Sequence, residues 1–169
     1  NLYQPFSDTD KSTSPKLDFI LEHYTQIPDT VPSRVHDLAV SITKDLSNPF
    51  DKAKALEKHL KENFTYTLTP PYTPVERDFV DYFLFDLKKG YCTYFASAMA
   101  IMGRSIGLPT RYIEGFFMPQ QPSSEDMYEV RKEHGHAWVE IYFPKVGWLP
   151  FEEVYFYPSM TMLLAYFIH

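Results

Sequence analysis

The sequence predicts an α+β domain in which helices come first and an antiparallel sheet follows. Apolar residues recur three and four positions apart in two early segments and again from Cys92 onward, a spacing that is typical of helices. After residue 109, several stretches alternate between apolar and polar residues, which favours strands. Because the helices precede the strands instead of alternating with them, the order indicates an α+β architecture.

Two amphipathic helices are predicted between residues 33 and 64. Ser33 is a candidate N-cap of the first, and Asn48 followed by Pro49 suits the start of the second. The predicted buried faces comprise Val35, Leu38, Ala39, Ile42 and Leu46 in the first helix, and Ala53, Leu56, Leu60 and Phe64 in the second. An amphipathic face by itself indicates packing, so we interpret both helices as scaffold.

The third predicted helix begins at Cys92. Before it, FTYTLTPPYTP predicts an extended segment and a loop, and DFVDYFLFDLKKG is a mostly apolar approach to the cysteine. The run Gly107-Leu108-Pro109 is typical of a helix end. One stripe, which should pass through the core, consists of Cys92, Phe95, Ala96, Met99, Ala100, Gly103 and Ile106.

Four strands are predicted in the second part of the chain, in TRYIEGFFM, MYEVRKE, HAWVEIYF and WLPFEEVYF. One face of HAWVEIYF carries His136, Trp138, Glu140 and Tyr142. The turn PKVGW predicts a hairpin between the last two strands, in which residues near 140–143 pair with residues 148–151. That register brings Glu152 beside residues 138–139, or diagonally toward His136.

Composition limits the organisation and the partners of the chain. Its 169 residues suit a single domain, with residues 1–32 as an irregular covering segment and residues 33–169 as the core. A formal net charge of −6 argues against a nucleic-acid partner, which needs a basic face. One cysteine excludes an internal disulfide and a multi-cysteine metal site. The start at Asn1 and an apolar C-terminal tail too short to span a bilayer lead us to expect a fragment of a longer protein.

Cys92 is either a small core residue or a nucleophile at a helix N-terminus. Residue type alone favours the core, because a free cysteine packs as a small apolar side chain. At a helix start, however, unpaired N–H groups and the helix dipole stabilise a thiolate and lower the pKa of the thiol. Gly90 would permit a tight turn that leaves the sulfur at the surface of a groove.

Two later residues have the chemistry that a thiol nucleophile needs. His136 can take the thiol proton and hand it to a leaving amine. Glu152 can accept a hydrogen bond from the ring nitrogen that does not face sulfur, which fixes the tautomer of the imidazole. Taken separately, such a histidine is more often a hydrogen-bonded strand residue and such a glutamate more often solvated, so the local sequence context decides.

That context resembles the transglutaminase-like core superfamily, and in particular its bacterial membrane-anchored branch. The resemblance is carried by DYFLFDLKKGYCTYFASAMAIMGRSIGLPTRYIEGF and HGHAWVEIYFPKVGWLPFE, and it spans roughly residues 25–153. It implies a papain-like fold with the cysteine helix packed on the sheet. It also implies that Cys92 is the nucleophile, His136 the general base and acid, and Glu152 the third member of the triad, where aspartate is the commoner residue.

The resemblance also suggests supporting roles around this triad. Tyr91, Tyr94 and Trp138 are candidates for the oxyanion site or the substrate groove, although the backbone N–H of Cys92 is the favoured oxyanion donor. Trp138 is expected mainly to pack, with partial exposure to the groove. His134 and Glu153 are candidates for contacts behind the triad, and Glu153 is an alternative to its neighbour as the third member. Arg104 and Arg111 are expected to tie the helix to the sheet.

The implied reaction is acyl transfer on a protein or peptide carboxamide such as glutamine, through a thioester, with a primary amine or water as acceptor. A peptidase or deamidase with the same triad, a small-molecule acyltransferase and a non-catalytic binding domain on this fold are the alternatives. A zinc site at Cys92, His134, His136 and Glu140 would leave the glycine, tryptophan and carboxylate motifs unexplained.

We therefore predict no metal site, no calcium requirement and no cofactor. By resemblance, the chain is expected to be a soluble extracytoplasmic domain of a bacterial membrane protein. Any contact with the membrane would then come only through segments that this chain lacks.

Overall fold

The structure, a computed structural model, describes residues 15–119, 121–123 and 127–152. Its α-helices are α1 (Pro15–Tyr24), α2 (Ser33–Thr43), α3 (Pro49–Asn63), α4 (Phe79–Tyr82) and α5 (Cys92–Ser105). Its strands are β1 (Thr65–Tyr66), β2 (Lys89–Gly90), β3 (Thr110–Phe116), β4 (Gly135–Phe143) and β5 (Gly147–Phe151). A π-helical turn at Phe83–Leu87 follows α4, and a 3-10 turn at Lys132–His134 precedes β4. Helices before an antiparallel sheet confirm the predicted α+β class.

The main sheet has the strand order β3-β4-β5, and both pairings are antiparallel. The β4–β5 hairpin pairs Val139 with Phe151 and Phe143 with Gly147, which confirms the predicted register. Gly147, at the start of β5, has a φ of +100°, which glycine adopts without strain. Glu152 follows β5 directly, so the hairpin delivers it next to the middle of β4.

Helix α5 crosses the core between the sheet and the other helices. It packs on β3 and β4 on one side and on α2 and α3 on the other. Its buried residues exceed the predicted stripe and comprise Tyr94, Phe95, Ala96, Ala98, Met99, Ala100, Met102 and Gly103. Burial of nearly the whole circumference is typical of a helix enclosed by protein on all sides. Gly107, with a φ of +80°, ends it where predicted.

The other helices mostly follow the predicted starts and ends. The side chain of Asn48 accepts a hydrogen bond from the Phe50 N–H at 2.9 Å, with Pro49 as the first helical residue of α3. Ser33 is the first residue of α2 and Pro32 occupies its N-cap, one position earlier than predicted. No helix within the described ranges is both long and apolar enough to cross a bilayer.

The secondary structure of two segments differs from the prediction. Part of the segment predicted to be irregular is helical, because α1 buries Leu17 and Ile20. MYEVRKE forms no strand in its described residues beyond an isolated bridge at Met127. Its apolar residues Met127, Tyr128 and Val130 are exposed, so no sheet covers them. Residues 153–169, including Glu153 and the end of the last predicted strand, lie outside the described residues.

The two arginines near the end of α5 tie elements together in different ways. Arg104 Nε donates to the Thr110 carbonyl at 2.9 Å and so joins the helix to the start of β3. Arg111 instead joins two strands, because its Nε donates to Glu140 at 2.7 Å. The Glu140 carboxylate is fully buried, and the guanidinium supplies the countercharge that such a site requires.

Gly90 is required for a reason other than the predicted tight turn. It pairs with Tyr66 in the short parallel β1–β2 ladder, and its φ is not positive. A Cβ at this position would come within 2.4 Å of the Tyr94 ring. That ring is held by Phe79, whose centroid lies 4.5 Å away, so it has little room to move aside. The glycine therefore lets α5 begin close against the ladder.

We predict that Gly90→Ala destabilises the fold by about 2 kcal/mol, because the added methyl overpacks the core beside Tyr94. Urea unfolding of the wild type and variant measures the cost. In a Tyr94→Gly background, which removes both the ring and the Cβ that the added methyl would meet, the same change should cost much less. An equal cost in both backgrounds would contradict this explanation.

Candidate active site

Cys92 is the first residue of α5 and its side chain is partly exposed. Tyr91 before it is extended, so the chain turns into the helix at the cysteine itself. The first N–H groups of a helix have no intrahelical acceptor, and they carry the positive end of the helix dipole. The thiol lies where the backbone N–H groups of Thr93 and Ala137 reach it, one from α5 and the other from β4.

His136 lies near the start of β4 and is 6% exposed. Its Nε2 is 2.7 Å from Glu152 Oε1, and the ring also interacts with the Cys92 thiol. Since Nε2 is taken by the carboxylate, Nδ1 is the ring nitrogen left for the sulfur. Phe117 and Trp138 flank the imidazole, with ring centroids 4.4 and 6.1 Å away, and they hold its plane.

The electrostatic environment favours a thiolate–imidazolium pair. Burial alone would raise the pKa of Cys92, but hydrogen bonding to His136 and to the two backbone N–H groups outweighs it, and the pKa is lowered. Burial likewise opposes the charged form of His136, yet Cys92 and Glu152 together raise its pKa. Each group therefore stabilises the charged form of the other.

The Glu152 carboxylate is partly desolvated at its position beside His136. Burial raises the pKa of its carboxyl group, while His136 and Lys61 oppose that rise. Its backbone N–H donates to Glu57 Oε1 on α3 at 3.1 Å. The carboxylate is thus aimed at His136 from a backbone that a second helix holds in place.

The structure brings the three predicted residues Cys92, His136 and Glu152 together in that order. The Cys92 thiol faces one edge of the imidazole, and Glu152 faces the other. The arrangement depends on the start of α5, the start of β4 and the end of β5, which are far apart in sequence. Glu153, the alternative third residue, lies outside the described residues.

The other predicted site residues lie in different surroundings. Tyr94 is buried among the rings of Phe79, Phe83 and Tyr91, which fits a packing role. Tyr91 is half-buried beside it. Trp138 is also buried, more deeply than the predicted partial exposure, and its indole N–H has no hydrogen-bond partner among the described residues.

His134 is not on the strand face of His136. It closes the 3-10 turn, and its Nδ1 accepts a hydrogen bond from the Arg131 N–H at 2.8 Å. Glu140, the fourth candidate zinc ligand, is bound by Arg111. Within the described ranges, no group of three or more histidine, cysteine, aspartate or glutamate side chains is arranged to hold a metal ion.

Sequence reasoning missed two tyrosines near the sulfur. Tyr66 lies opposite Gly90 in the β1–β2 ladder, and its hydroxyl reaches the backbone and thiol of Cys92. Burial and the charge of Cys92 raise the pKa of the Tyr66 hydroxyl, so it remains a donor. Tyr112 on β3 donates to Glu114 at 2.7 Å and contacts Thr93. The sequence predicted an extended segment at Tyr66, but no pattern in it indicated that Tyr66 contacts Cys92.

Comparisons with known proteins identify the family of the chain. A family model described as the transglutaminase-like superfamily matches residues 36–153. The uncharacterized protein YebA of Bacillus subtilis (strain 168) is 42% identical over 137 residues, which are 78% of this chain and 19% of that protein. A protein-glutamine gamma-glutamyltransferase of Pseudomonas aeruginosa is 38% identical over 103 residues, which are 61% of this chain and 15% of that enzyme. The chain thus spans less than a fifth of either curated relative.

Solved structures with a similar fold include a domain from one of the same bacteria. The periplasmic domain of TgpA from Pseudomonas aeruginosa matches with a TM-score of 0.72 and 31% identity, over 85% of this chain and 49% of that one. A structure from Cytophaga hutchinsonii shares the fold, with a TM-score of 0.58 and 17% identity, over 90% of this chain and 46% of that one. The family match covers most of the chain, including both ends of the Cys92–His136–Glu152 arrangement. The chain belongs to the transglutaminase-like superfamily.

Proposed function

We propose that this chain catalyses acyl transfer from the side-chain carboxamide of glutamine in a protein or peptide, with Cys92 as the nucleophile. The observation that carries the proposal is the position of His136 between the Cys92 thiol and the Glu152 carboxylate. A thiol at a helix start, a base beside it and a carboxylate that orients the base are the parts that thioester chemistry needs.

In the first half-reaction the Cys92 thiolate attacks the carboxamide carbon. The developing oxyanion lies at the start of α5, where the Tyr66 hydroxyl and the Cys92 N–H are the nearby donors, and the oxyanion replaces the Tyr66 oxygen as the acceptor of the Cys92 N–H. His136 then gives a proton to the leaving nitrogen, so ammonia departs and an acyl thioester remains. Glu152 stabilises the imidazolium before the transfer and keeps the ring in place.

In the second half-reaction an acceptor opens the thioester. His136 removes a proton from a primary amine as the amine attacks, and collapse of the intermediate releases an isopeptide product and restores the thiolate. Water in place of the amine would give deamidation, and a backbone amide in place of glutamine would give peptide cleavage. The name of the Pseudomonas relative, a protein-glutamine gamma-glutamyltransferase, supports the amine as acceptor.

A polypeptide substrate suits the surface next to the triad. Tyr66 and Phe116 are each about half exposed, and Leu68 is more exposed still. The Tyr66 hydroxyl reaches Cys92, and Phe116 follows Gly115, which is the β3 partner of His136. Exposed apolar groups beside the residues of a reactive site favour a substrate that extends beyond the reacting amide.

The proposal predicts that the chain incorporates a labelled primary amine into a glutamine-bearing protein such as casein, and that Cys92→Ala abolishes this incorporation. Intact-protein mass spectrometry detects the adducts. Cys92-dependent deamidation without adducts would identify water as the acceptor, and Cys92-dependent fragments would identify a peptidase. Equal product from the wild type and Cys92→Ala would contradict a cysteine mechanism.

Tyr66→Phe is predicted to lower kcat roughly tenfold to a hundredfold with little change in KM. The hydroxyl lies beside Cys92, and in the proposed mechanism it donates to the oxyanion and not to the bound amide. Steady-state amine incorporation measures both constants. Tyr72→Phe is the matched control, since Tyr72 lies on the loop that follows β1 and is almost fully exposed. A Tyr66→Phe enzyme with wild-type kcat would exclude the hydroxyl from the oxyanion site.

We also propose that the domain works outside the cytoplasm, which the match to the periplasmic domain of TgpA supports. In cells that express the parent protein, a protease added outside the inner membrane should then cleave this domain before lysis. Protection of the domain until the cells are lysed would contradict this location.

A further inference from the structure

Glu57 is a buried acidic residue on a helix that the sequence presents as scaffold. It lies on the face of α3 that packs toward the sheet and is 5% exposed. Carboxylates are rarely buried to this degree unless they are paired and hydrogen-bonded. The surroundings of Glu57 should therefore explain why a charged group occupies a core position.

Three groups meet the Glu57 carboxylate. Lys54, one turn earlier on α3, binds Oε2, and Lys61, one turn later, lies 3.5 Å from Oε1. The third group is the backbone N–H of Glu152, which donates to Oε1 at 3.1 Å. The two lysines compensate the buried charge, but they do not require its burial, since both are on the same helix and could pair at the surface.

The contact with Glu152 explains why Glu57 is buried at this position. Glu152 follows the last residue of β5, where the β4–β5 ladder no longer fixes the backbone. A hydrogen bond from this N–H to α3 therefore holds the peptide from which the Glu152 side chain reaches His136. A shift of that peptide would move the carboxylate relative to the imidazole.

Charged and titratable groups face Glu152 from several elements. His136 on β4 and Lys61 on α3 favour its ionised form, and Glu57 on α3 opposes it. Tyr66 on β1 also senses the Glu152 charge, and Cys92 on α5 interacts with His136 from the opposite side. Lys61 faces both carboxylates and so limits their mutual repulsion.

We infer that Glu57 is a positioning residue for the proposed triad: its carboxylate anchors the backbone of Glu152, and Lys61 keeps the two carboxylates compatible, so that Glu152 orients His136. This inference rests on the role of Glu152 in the proposed function. It assigns a supporting task to α3, whose amphipathic pattern indicates only packing.

The test is the pH dependence of Cys92 alkylation by iodoacetamide. Because Cys92 is the only cysteine of the chain, the rate reports this thiol alone. Loss of the anchor in Glu57→Ala weakens the support of the imidazolium by Glu152. The pKa of His136 then falls, that of Cys92 rises, and the midpoint of alkylation moves up by about one pH unit. The kcat of amine incorporation at neutral pH should fall roughly tenfold or more, with KM unchanged.

Two variants separate positioning from general stability. Glu57→Gln keeps an oxygen that can accept from the Glu152 N–H, so it should restore the alkylation midpoint. Glu62→Ala removes an exposed glutamate of the same helix that pairs with Lys58, and it should leave the profile unchanged.

If Glu57→Ala does not fold, Lys61→Met takes its place, with Lys58→Met as the control for loss of a lysine charge. An upward shift of the midpoint in Lys61→Met but not in Lys58→Met supports the inference.

A folded Glu57→Ala protein with the wild-type alkylation profile would overturn the inference, as would an unchanged profile in Lys61→Met. Alkylation needs no substrate, so this result does not depend on the proposed reaction. A shifted profile in a chain that transfers no amine would sustain the positioning role while the acyl-transfer proposal fails.

Discussion

The contact between the start of α5 and the start of β4 is the interaction on which the rest of the site depends. It places the Cys92 thiol against His136 and against the Ala137 N–H. A half-buried thiol on its own would be neutral and weakly nucleophilic, because burial disfavours the thiolate. The thiolate–imidazolium pair forms only if α5 and β4 stay at a fixed distance from each other. Much of the core packs around these two elements.

The core fixes this distance by enclosing α5. Rings from α4 and the following π-helical turn pack on Tyr94 and Phe95, and β3 and β4 cover the other side. Arg104 joins the end of the helix to the start of β3, and the buried Arg111–Glu140 pair joins β3 to β4. A helix held along its whole length cannot slide relative to His136, whereas a surface helix with one buried stripe could.

The sequence placed Glu152 beside His136 because hairpin geometry is local, whereas the assignment of Cys92 to the triad came from the resemblance to the family. A short turn sets the register, and the register sets which residue follows β5 beside His136. The contacts of Tyr66 and Glu57 are different, since each pairs with a residue that is distant in the chain and has no periodic pattern of its own. Gly90 shows the same limit: the glycine was noticeable, but the Tyr94 ring that requires it becomes visible only once the helix is packed.

MYEVRKE shows the converse, because residues that favour strands, such as Tyr128 and Val130, do not make a strand without a neighbour to pair with.

The charges near the triad also depend on contacts between residues that are distant in the chain, and Glu57 is one of them. From the sulfur outward, thiolate, imidazolium, Glu152, Lys61 and Glu57 alternate in sign, and Lys54 closes the row at the surface. Each charge between the two ends thus has an opposite neighbour on either side, which offsets its desolvation. Removing one member leaves two like charges or an unpaired one, so the inferred role of Glu57 couples the thiol at one end of the row to α3 at the other.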